Sequence, residues 1–238
     1  MVKIGNFFFR YRNGIFPLVY LLVFLPSPKI FPDNNTALVA GILVSAFGQF
    51  LRALTIGLAY IKRGGLNKRV YADDLVVDGL FAHCRNPLYD GNILMILGVG
   101  IALNSLWFLL IGGAFFLFAY LAIVAAEENF LAQKFGDQYT DYCKRVPRFA
   151  IKLKGLGKTI GSMEFRWRRL IVKEYGTTFA WIAGLLVCLY LRRHIFEFGG
   201  DFSLHLPLDA VLAAVFLVAS VLYSIARFFK KTRRLQAD

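Results

Sequence analysis

Long apolar runs separated by short polar stretches dominate the chain. Six of these runs approach the length that crosses a membrane: residues 14–31, 36–61, 88–103, 106–126, 178–191 and 208–229. About 20 helical residues, at about 1.5 Å each, span the roughly 30 Å of hydrocarbon in a bilayer. The pattern therefore predicts an all-α, polytopic membrane bundle of about six transmembrane helices. A very tight turn at Asn104 and Ser105 joins the third helix to the fourth.

The first run contains Pro26, Pro28 and Pro32 and shows no small-residue cleavage pattern. We therefore expect it to stay as a membrane anchor and not to be removed as a signal peptide. No repeat or low-complexity linker divides the chain. We predict a membrane core over residues 1–176 and an appended C-terminal hairpin with a basic tail over 177–238.

The longest polar stretch lies between the fourth and fifth runs. We predict a helix that ends with Gly136 as its C′ residue, then a short helix with Asp137 as N-cap. Beyond Pro147, over residues 150–176, basic residues alternate with apolar ones. This alternation is typical of a strip on an anionic membrane surface, where it either only anchors the chain or also serves the site.

Composition excludes an ordinary soluble domain. Hydrophobic residues make up 58% of the chain and aromatic ones 16%, and the mean hydropathy is +0.56. Cys84, Cys143 and Cys188 lack metal-ligand spacing, so we expect neither a disulfide framework nor a metal site.

The net charge of +13 raises the question of nucleic acid binding, but the basic residues are distributed otherwise. All but four of the 28 Lys and Arg lie in the two tails and in residues 62–91 and 127–176, which share one side; the exceptions are Lys29, Arg52, Arg192 and Arg193. The positive-inside rule makes that side cytoplasmic and puts both termini there. We expect membrane lipids and not nucleic acid as partners, with Arg192 and Arg193 snorkelling at a helix end. The lack of retention or targeting signals favours a bacterial inner membrane.

Candidate chemistry begins with Arg52 in "GQFLR", inside the second run. An arginine at the bilayer centre costs roughly 2.5–3.5 kcal/mol on insertion scales, so its side chain should face protein or water. It either pairs with a neighbouring residue or snorkels towards the interface, or it contacts a substrate.

The next feature is the stretch "DGLFAHCRNPLYDGN". Pro87 can open a helix because its missing amide hydrogen would be unpaired there anyway. Gly79 and Gly91 allow close approach of backbone, and Arg85 offers a forked cation for a carboxylate or phosphate. A plain helix start with an interfacial Arg and Tyr would look similar.

Further along, Glu127 and Glu128 follow 21 uncharged residues, and Tyr139 and Tyr142 share one helical face. The two carboxylates either emerge into water at the end of the span or bind a cationic or hydroxyl-rich ligand. Each tyrosine taken singly is typical of a membrane interface.

In this order, the features resemble the isoprenylcysteine carboxyl methyltransferase family and its phospholipid methyltransferase relatives, over about residues 48–154. The family typically shows an Arg-His-Pro-x-Tyr-x-Gly run, paired glutamates, and Phe-Gly-x-x-Tyr-x-x-Tyr before Val-Pro. The residues that match are Gly79, Phe81, Arg85, Pro87, Tyr89, Gly91, Glu127, Glu128, Phe135, Gly136, Tyr139, Tyr142, Val146 and Pro147. The family histidine is replaced by Asn86, which can hydrogen-bond but cannot titrate near neutral pH.

The resemblance implies S-adenosylmethionine as cofactor, in a pocket that short cytoplasmic helices help to form. It assigns these residues to the cofactor: Gly79, Phe81, Asn86, Pro87, Tyr89, Gly91, Glu128, Tyr139 and Tyr142. It assigns Arg85 and Glu127 to catalysis, and Arg52 and Arg148 to the substrate. The implied acceptor is lipophilic or a membrane lipid, either like an isoprenylcysteine carboxylate or like a phospholipid.

Two other classes stay open. Membrane sterol reductases, which use NADPH, have similar Arg-x-Pro-x-Tyr and Tyr-Cys-x-x-Val-Pro runs. A non-catalytic transporter or scaffold is the third interpretation, and it predicts charges spaced along a pore. The paired Glu127 and Glu128 favour the methyltransferase.

Overall fold

The computed structural model describes residues 1–59 and 70–232, and within them the chain is helical without strands. The helices are α1 (Val2–Val19), α2 (Asn34–Leu58), α3 (Pro87–Ala102), α4 (Gly113–Phe135), α5 (Asp137–Arg145), α6 (Leu156–Ser162), α7 (Trp167–Phe196) and α8 (Leu208–Lys231). Two 3₁₀ turns, Tyr20–Phe24 and Gly79–Ala82, and a π turn, Phe108–Gly112, complete the regular structure. The predicted all-α membrane bundle is confirmed.

Four of these helices are long and apolar enough to cross a membrane. They are α2, α4 together with the π turn before it, α7 and α8, while α3 is a shorter apolar helix of 16 residues. These five helices, with α3 included, correspond to the second to sixth predicted runs. The last two residues of the run 36–61 lie outside the described residues, as do the basic residues at 62–69 and after 232.

The first predicted run, 14–31, is wrong in its bounds. Helix α1 begins at Val2 and continues through Pro17 to Val19, and the chain is extended at Leu25 after the 3₁₀ turn. Proline lacks an amide hydrogen, so the three prolines beyond Leu25 cannot continue a helix. Because α1 carries Lys3, Arg10 and Arg12, it is not among the helices apolar enough to span.

Helices α2 and α3 form the closest seam of the bundle. A Cβ atom at Gly48 would lie 2.6 Å from the Gly91 carbonyl oxygen, and one at Gly41 would lie 2.2 Å from the Ala102 nitrogen. Such distances leave no room for a side chain, so glycine allows the two backbones to touch, as is common between membrane helices. This seam fixes the start of α3 relative to the end of α2.

Aromatic rings join α1 to α4. Phe16 packs edge to face against Phe116 and Tyr120, with ring centroids 5.1 and 5.5 Å apart. Tyr120 in turn contacts Tyr89 of α3 at 5.3 Å. Through these rings α1, which the sequence placed too late, becomes part of the same core as α3 and α4.

Helix α7 runs without a break through the predicted domain boundary at residue 176. Its Arg192 donates a hydrogen bond to the carbonyl of Val23. Its Arg193 lies 2.8 Å from the Asp209 carboxylate of α8. The paired arginines thus have protein partners in addition to any membrane interface.

The first part of the polar stretch after α4 folds largely as the sequence indicates, whereas α6 and residues 167–176 of α7 are helices that were not predicted within the strip over 150–176. Helix α4 ends at Phe135, so the predicted terminating glycine is correct, but Gly136, with φ +52°, is the C-cap and not the C′ residue. Asp137 is the first residue of α5, so the N-cap is Gly136 and the prediction for Asp137 was one position off. Leu153 and Trp167 are exposed, and the membrane-surface role of this segment stays a prediction.

Asn104, in the turn after α3, connects this turn to the proline-rich segment after α1. It adopts φ +50°, its Oδ1 accepts hydrogen bonds from the amides of Ile30 (2.8 Å) and Phe31 (2.9 Å), and its Nδ2 donates to the Phe31 carbonyl (3.0 Å). Asparagine tolerates this left-handed backbone better than most residues. The tight turn therefore also anchors the proline-rich segment after α1.

Candidate functional site

A cavity of about 790 Å³ lies where α2 ends, α3 begins and α4 emerges from the bundle. Pockets that hold small molecules or cofactors typically measure about 300–1,000 Å³. Aromatic side chains, arginines and the paired glutamates contribute to its wall, together with residues 70–76. The cavity is thus apolar with a few charged groups, as ligand sites usually are.

Two hydrogen bonds connect the residues before α3 to the residues after α5. The Arg85 amide donates to the Pro147 carbonyl at 2.9 Å, and Asn86 Nδ2 donates to the Arg148 carbonyl at 3.0 Å. Pro87 is the first residue of α3, as the sequence predicts. Asn86 occupies the position of the histidine in the resembled motif, and its side-chain amide holds this loop in place through the hydrogen bond to Arg148.

Cys84 contributes a third connection. Its thiol donates to Asp90 Oδ2 at 3.1 Å, and Asp90 also accepts from the Ala150 amide at 3.1 Å. Burial, reinforced by the nearby Asp90 carboxylate, raises the pKa of Cys84. The thiol therefore stays protonated and acts as a hydrogen-bond donor, without the character of a nucleophile.

Glu128 bridges two arginines. Its Oε1 lies 2.9 Å from Arg85 Nη1, and its Oε2 lies 2.8 Å from Arg148 Nη2. Partial burial, the largest single influence, lowers the pKa of Arg85, but the Glu128 carboxylate together with Cys143 and Tyr139 outweighs it, so that the pKa is raised. The Nε–H of Arg85 is buried and has no acceptor within residues 1–59 and 70–232. Arg85 thus retains a donor that a ligand could satisfy.

Glu127 accepts a hydrogen bond from a different partner. The Tyr89 hydroxyl donates to Glu127 Oε1 at 2.7 Å, and both residues line the cavity. Arg12 of α1 and Tyr120 of α4 line the same cavity. The two adjacent acids are therefore separated in role: Glu128 neutralises arginines, whereas Glu127 faces the cavity beside a tyrosine.

Helix α5 holds the Gly79–Ala82 turn. The Tyr142 hydroxyl donates to the Phe81 carbonyl at 2.7 Å, and burial raises the pKa of Tyr142, so that this hydroxyl stays a donor. Gly79 has φ +61°, a left-handed conformation that favours glycine. Phe81 and Tyr139 both line the cavity and supply it with aromatic surface.

The predicted site residues divide into two groups. The cavity is lined by Arg52, Phe81, Arg85, Asn86, Tyr89, Glu127, Glu128, Tyr139 and Tyr142. The other four predicted residues, Gly79, Pro87, Gly91 and Arg148, do not line it. Gly91 packs against Arg52 and Gly48, and Arg148 reaches the site through Glu128. The assignments to cofactor, substrate and catalysis stay predictions.

Arg52 has a protein partner. Its Nη2 lies 2.8 Å from Oε1 of Glu174 on α7, a pair that is nearly completely buried. The sequence analysis allowed for such a neighbour without identifying it. A signal was present: an arginine in an apolar run needs a buried carboxylate, and Glu174 stands just before the apolar part of α7.

Other wall residues were missed. Arg12 and Asn13 come from α1, whose bounds were misjudged, and Thr177 comes from α7, which lies outside the family-like region. Asn92 is the last residue of the stretch "DGLFAHCRNPLYDGN", but the sequence analysis assigned it no role. No pattern in the sequence marks these positions, because only packing brings them to the cavity.

Metal ligands are not clustered in the described part of the chain. Within those residues no group of three or more His, Cys, Asp and Glu side chains is arranged to hold a metal ion. Cys84, Cys143 and Cys188 are all free thiols.

Comparisons with known proteins were made with this geometry in hand. The phospholipid methyltransferase family model matches residues 36–138. The cobalt-zinc-cadmium resistance protein CzcN of Cupriavidus metallidurans is 30% identical over 155 residues, which cover 63% of this chain and 68% of that protein. The nickel-cobalt-cadmium resistance protein NccN of Alcaligenes xylosoxydans xylosoxydans is 24% identical over 150 residues, covering 63% and 69%.

A third relative carries the name of an enzyme. The protein-S-isoprenylcysteine O-methyltransferase of Schizosaccharomyces pombe is 33% identical over 110 residues, which cover 42% of this chain and 43% of that protein. No solved structure matches the chain significantly.

Proposed function

We propose that this chain, which belongs to the phospholipid methyltransferase family of membrane proteins, transfers a methyl group from S-adenosylmethionine to a lipophilic acceptor. The observation that carries the proposal is the cavity itself. Adjacent glutamates, an arginine with a buried unsatisfied donor and several aromatic side chains, Phe81 and Tyr139 among them, line one space at the end of the membrane bundle. The names of the two metal-resistance relatives describe a resistance and not a reaction, so the proposal takes nothing from them.

The residues fit the chemistry of this cofactor. A carboxylate such as Glu127 suits a sulfonium or ammonium cation, and Phe81 and Tyr139 offer aromatic surface to an adenine. The buried Nε–H of Arg85 requires an acceptor, which a carboxylate group would supply. When bound, S-adenosylmethionine supplies an electrophilic methyl carbon.

The chain's own part in the reaction is to exclude water and to hold the acceptor in place. Orientation and desolvation both favour a displacement that consumes positive charge. A carboxylate acceptor needs no base, whereas an amine has to lose a proton first. Asn86 cannot serve as that base, so Glu127, held by Tyr89, is the group we assign to it.

The surroundings of the cavity suggest how each partner arrives. We propose that the cofactor enters from the cytoplasm, because the positively charged segments flank this end of the bundle. The acceptor reaches the cavity laterally from the bilayer. A bacterial inner membrane is in keeping with the two bacterial relatives.

Calorimetry on the detergent-solubilised protein tests the proposal. We expect S-adenosylhomocysteine to bind in the micromolar range and NADPH not to bind. Glu128→Gln should weaken this binding strongly, because it leaves Arg85 and Arg148 without their shared carboxylate. Glu164→Gln, an exposed glutamate outside the cavity, is the matched control and should change nothing. Binding of NADPH alone would move the protein to the reductase class, and binding of neither would favour a scaffold.

A further inference from the structure

A buried ion pair joins the family-like core to the C-terminal hairpin. Arg52 Nε donates to Glu174 Oε2 at 3.0 Å, while Nη2 meets Oε1 at 2.8 Å, so the guanidinium and the carboxylate form a two-pronged pair. The exposed fraction is 5% for Arg52 and 2% for Glu174. Such forked pairing fixes orientation as well as charge.

The remaining nitrogen of this guanidinium points to α3. Arg52 Nη1 donates to Asn92 Oδ1 at 2.5 Å and to the Leu88 carbonyl at 3.3 Å. Leu88 immediately precedes Tyr89, whose hydroxyl holds Glu127. Glu174 is therefore connected, through one arginine, to the turn of α3 that carries the cavity's tyrosine.

The ion pair between Arg52 and Glu174 also bears on the charge of the cavity wall. Arg52 lines the cavity, and so do Gly176, Thr177 and Ala180, which follow Glu174 within the next six residues of α7, while Glu174 itself lies behind Arg52. None of these α7 residues falls within the 36–138 match to the family. Without the Glu174 carboxylate, the wall would carry an uncompensated cation, and charges in a partly buried site are screened less than charges in water.

We propose that Glu174 is a positioning residue of the methyl-transfer site, which makes α7 an integral wall of that site. It neutralises Arg52, so that the cavity accepts a sulfonium cation, and it fixes the first turns of α3. This inference rests on the proposed function. It assigns a role to a part of the chain that the family match does not reach.

Two ligands that differ in charge provide a readout that a loss of packing would not produce. S-adenosylmethionine carries a positive sulfonium, whereas S-adenosylhomocysteine has a neutral thioether in its place. The quantity to measure is the ratio of their dissociation constants, by calorimetry on the solubilised full-length protein. A general loosening of the cavity weakens both ligands alike, while a change of wall charge alters the ratio.

Two single variants predict opposite shifts of that ratio, and the double variant predicts no shift. Glu174→Gln leaves Arg52 uncompensated, and we expect it to weaken S-adenosylmethionine relative to S-adenosylhomocysteine by about fivefold or more. Arg52→Gln removes the cation from the wall while the Glu174 carboxylate stays behind it, and should shift the ratio in the other direction. The double variant removes both charges and should return the ratio to the wild-type value. Glu164→Gln controls for the loss of a negative charge elsewhere.

The outcomes separate the two proposals. If the wild type bound both ligands and the ratio stayed constant in the single variants, the role of Glu174 would be refuted while the methyltransferase site stood. If the wild type bound neither ligand, both proposals would fall. Thermal midpoints check folding, and because the two single variants predict opposite signs, either one that folds decides the matter.

Discussion

Removal of one oxygen atom, in Tyr142→Phe, tests whether α5 shapes the cavity. The Tyr142 hydroxyl donates to the Phe81 carbonyl at 2.7 Å, and the tyrosine is only 4% exposed. Phenylalanine keeps the ring but leaves that carbonyl without this donor. Loss of one partner from a buried hydrogen bond costs about 1–3 kcal/mol.

This cost translates into two measurable quantities. For a chain of this size, about 1 kcal/mol moves the thermal midpoint by about 2–4 °C, so we expect a fall of about 2–12 °C in detergent. Because Phe81 lines the cavity, part of the loss should appear in binding. A share of about 1.4 kcal/mol raises the dissociation constant of S-adenosylhomocysteine about tenfold.

Differential scanning fluorimetry and calorimetry on the same preparation measure both effects. Tyr11→Phe is the matched control, because that tyrosine is 46% exposed and its substitution should cost less than about 0.5 kcal/mol. An unchanged midpoint in Tyr142→Phe would show that the hydrogen bond does not anchor the turn. A lower midpoint with unchanged affinity would show that the bond stabilises the fold without shaping the cavity.

Three further predictions concern other parts of the molecule. Asn104→Ala removes the side chain that holds the proline-rich segment, and we expect a loss of about 2–4 kcal/mol in stability, seen as a lower thermal midpoint with unchanged S-adenosylhomocysteine affinity; an unchanged midpoint would contradict the anchoring role. Gly48→Ala places a Cβ 2.6 Å from a carbonyl of α3, so we expect little folded protein on size-exclusion chromatography, whereas Gly14→Ala, with nothing within 4 Å, should fold normally. Burial and a neighbouring carboxylate raise the pKa of Cys84, so at each pH below that pKa its thiolate fraction is lower than in an ordinary cysteine. N-ethylmaleimide should therefore label Cys84 slowly at pH 8 in the folded protein and rapidly after denaturation, as followed by mass spectrometry; rapid labelling of the folded form would refute the assignment.

The sequence was informative where a pattern is local. Apolar length predicted α2, α8 and the later part of α7, which begins at Trp167 and not at the predicted residue 178. Gly136 marked the end of α4 because its positive φ, which glycine adopts easily, ends the helix. The ordered motif brought Arg85, Tyr89 and Glu128 together in advance, since family spacing stands in for tertiary contact.

The sequence was insufficient where tertiary packing determines the position of a helix or the partner of a side chain. Helix α1 starts at Val2 although Lys3, Arg10 and Arg12 interrupt its apolar character, because its aromatic residues pack against α4. Hydropathy averages over such charges and therefore placed the helix too late. The partner of Arg52 lies 122 positions away in the chain, and no local rule connects two residues so distant.

The length of α3 has a consequence for the membrane around the protein. Its 16 residues extend about 24 Å, several ångströms less than the hydrocarbon core of a typical bilayer. Such hydrophobic mismatch is relieved when lipids thin locally or when the helix ends lie below the headgroups. Since α3 begins at the cavity, either response brings the cavity closer to the acyl chains. Lipid chain length thus becomes a variable that acts on this site without altering any residue that lines it.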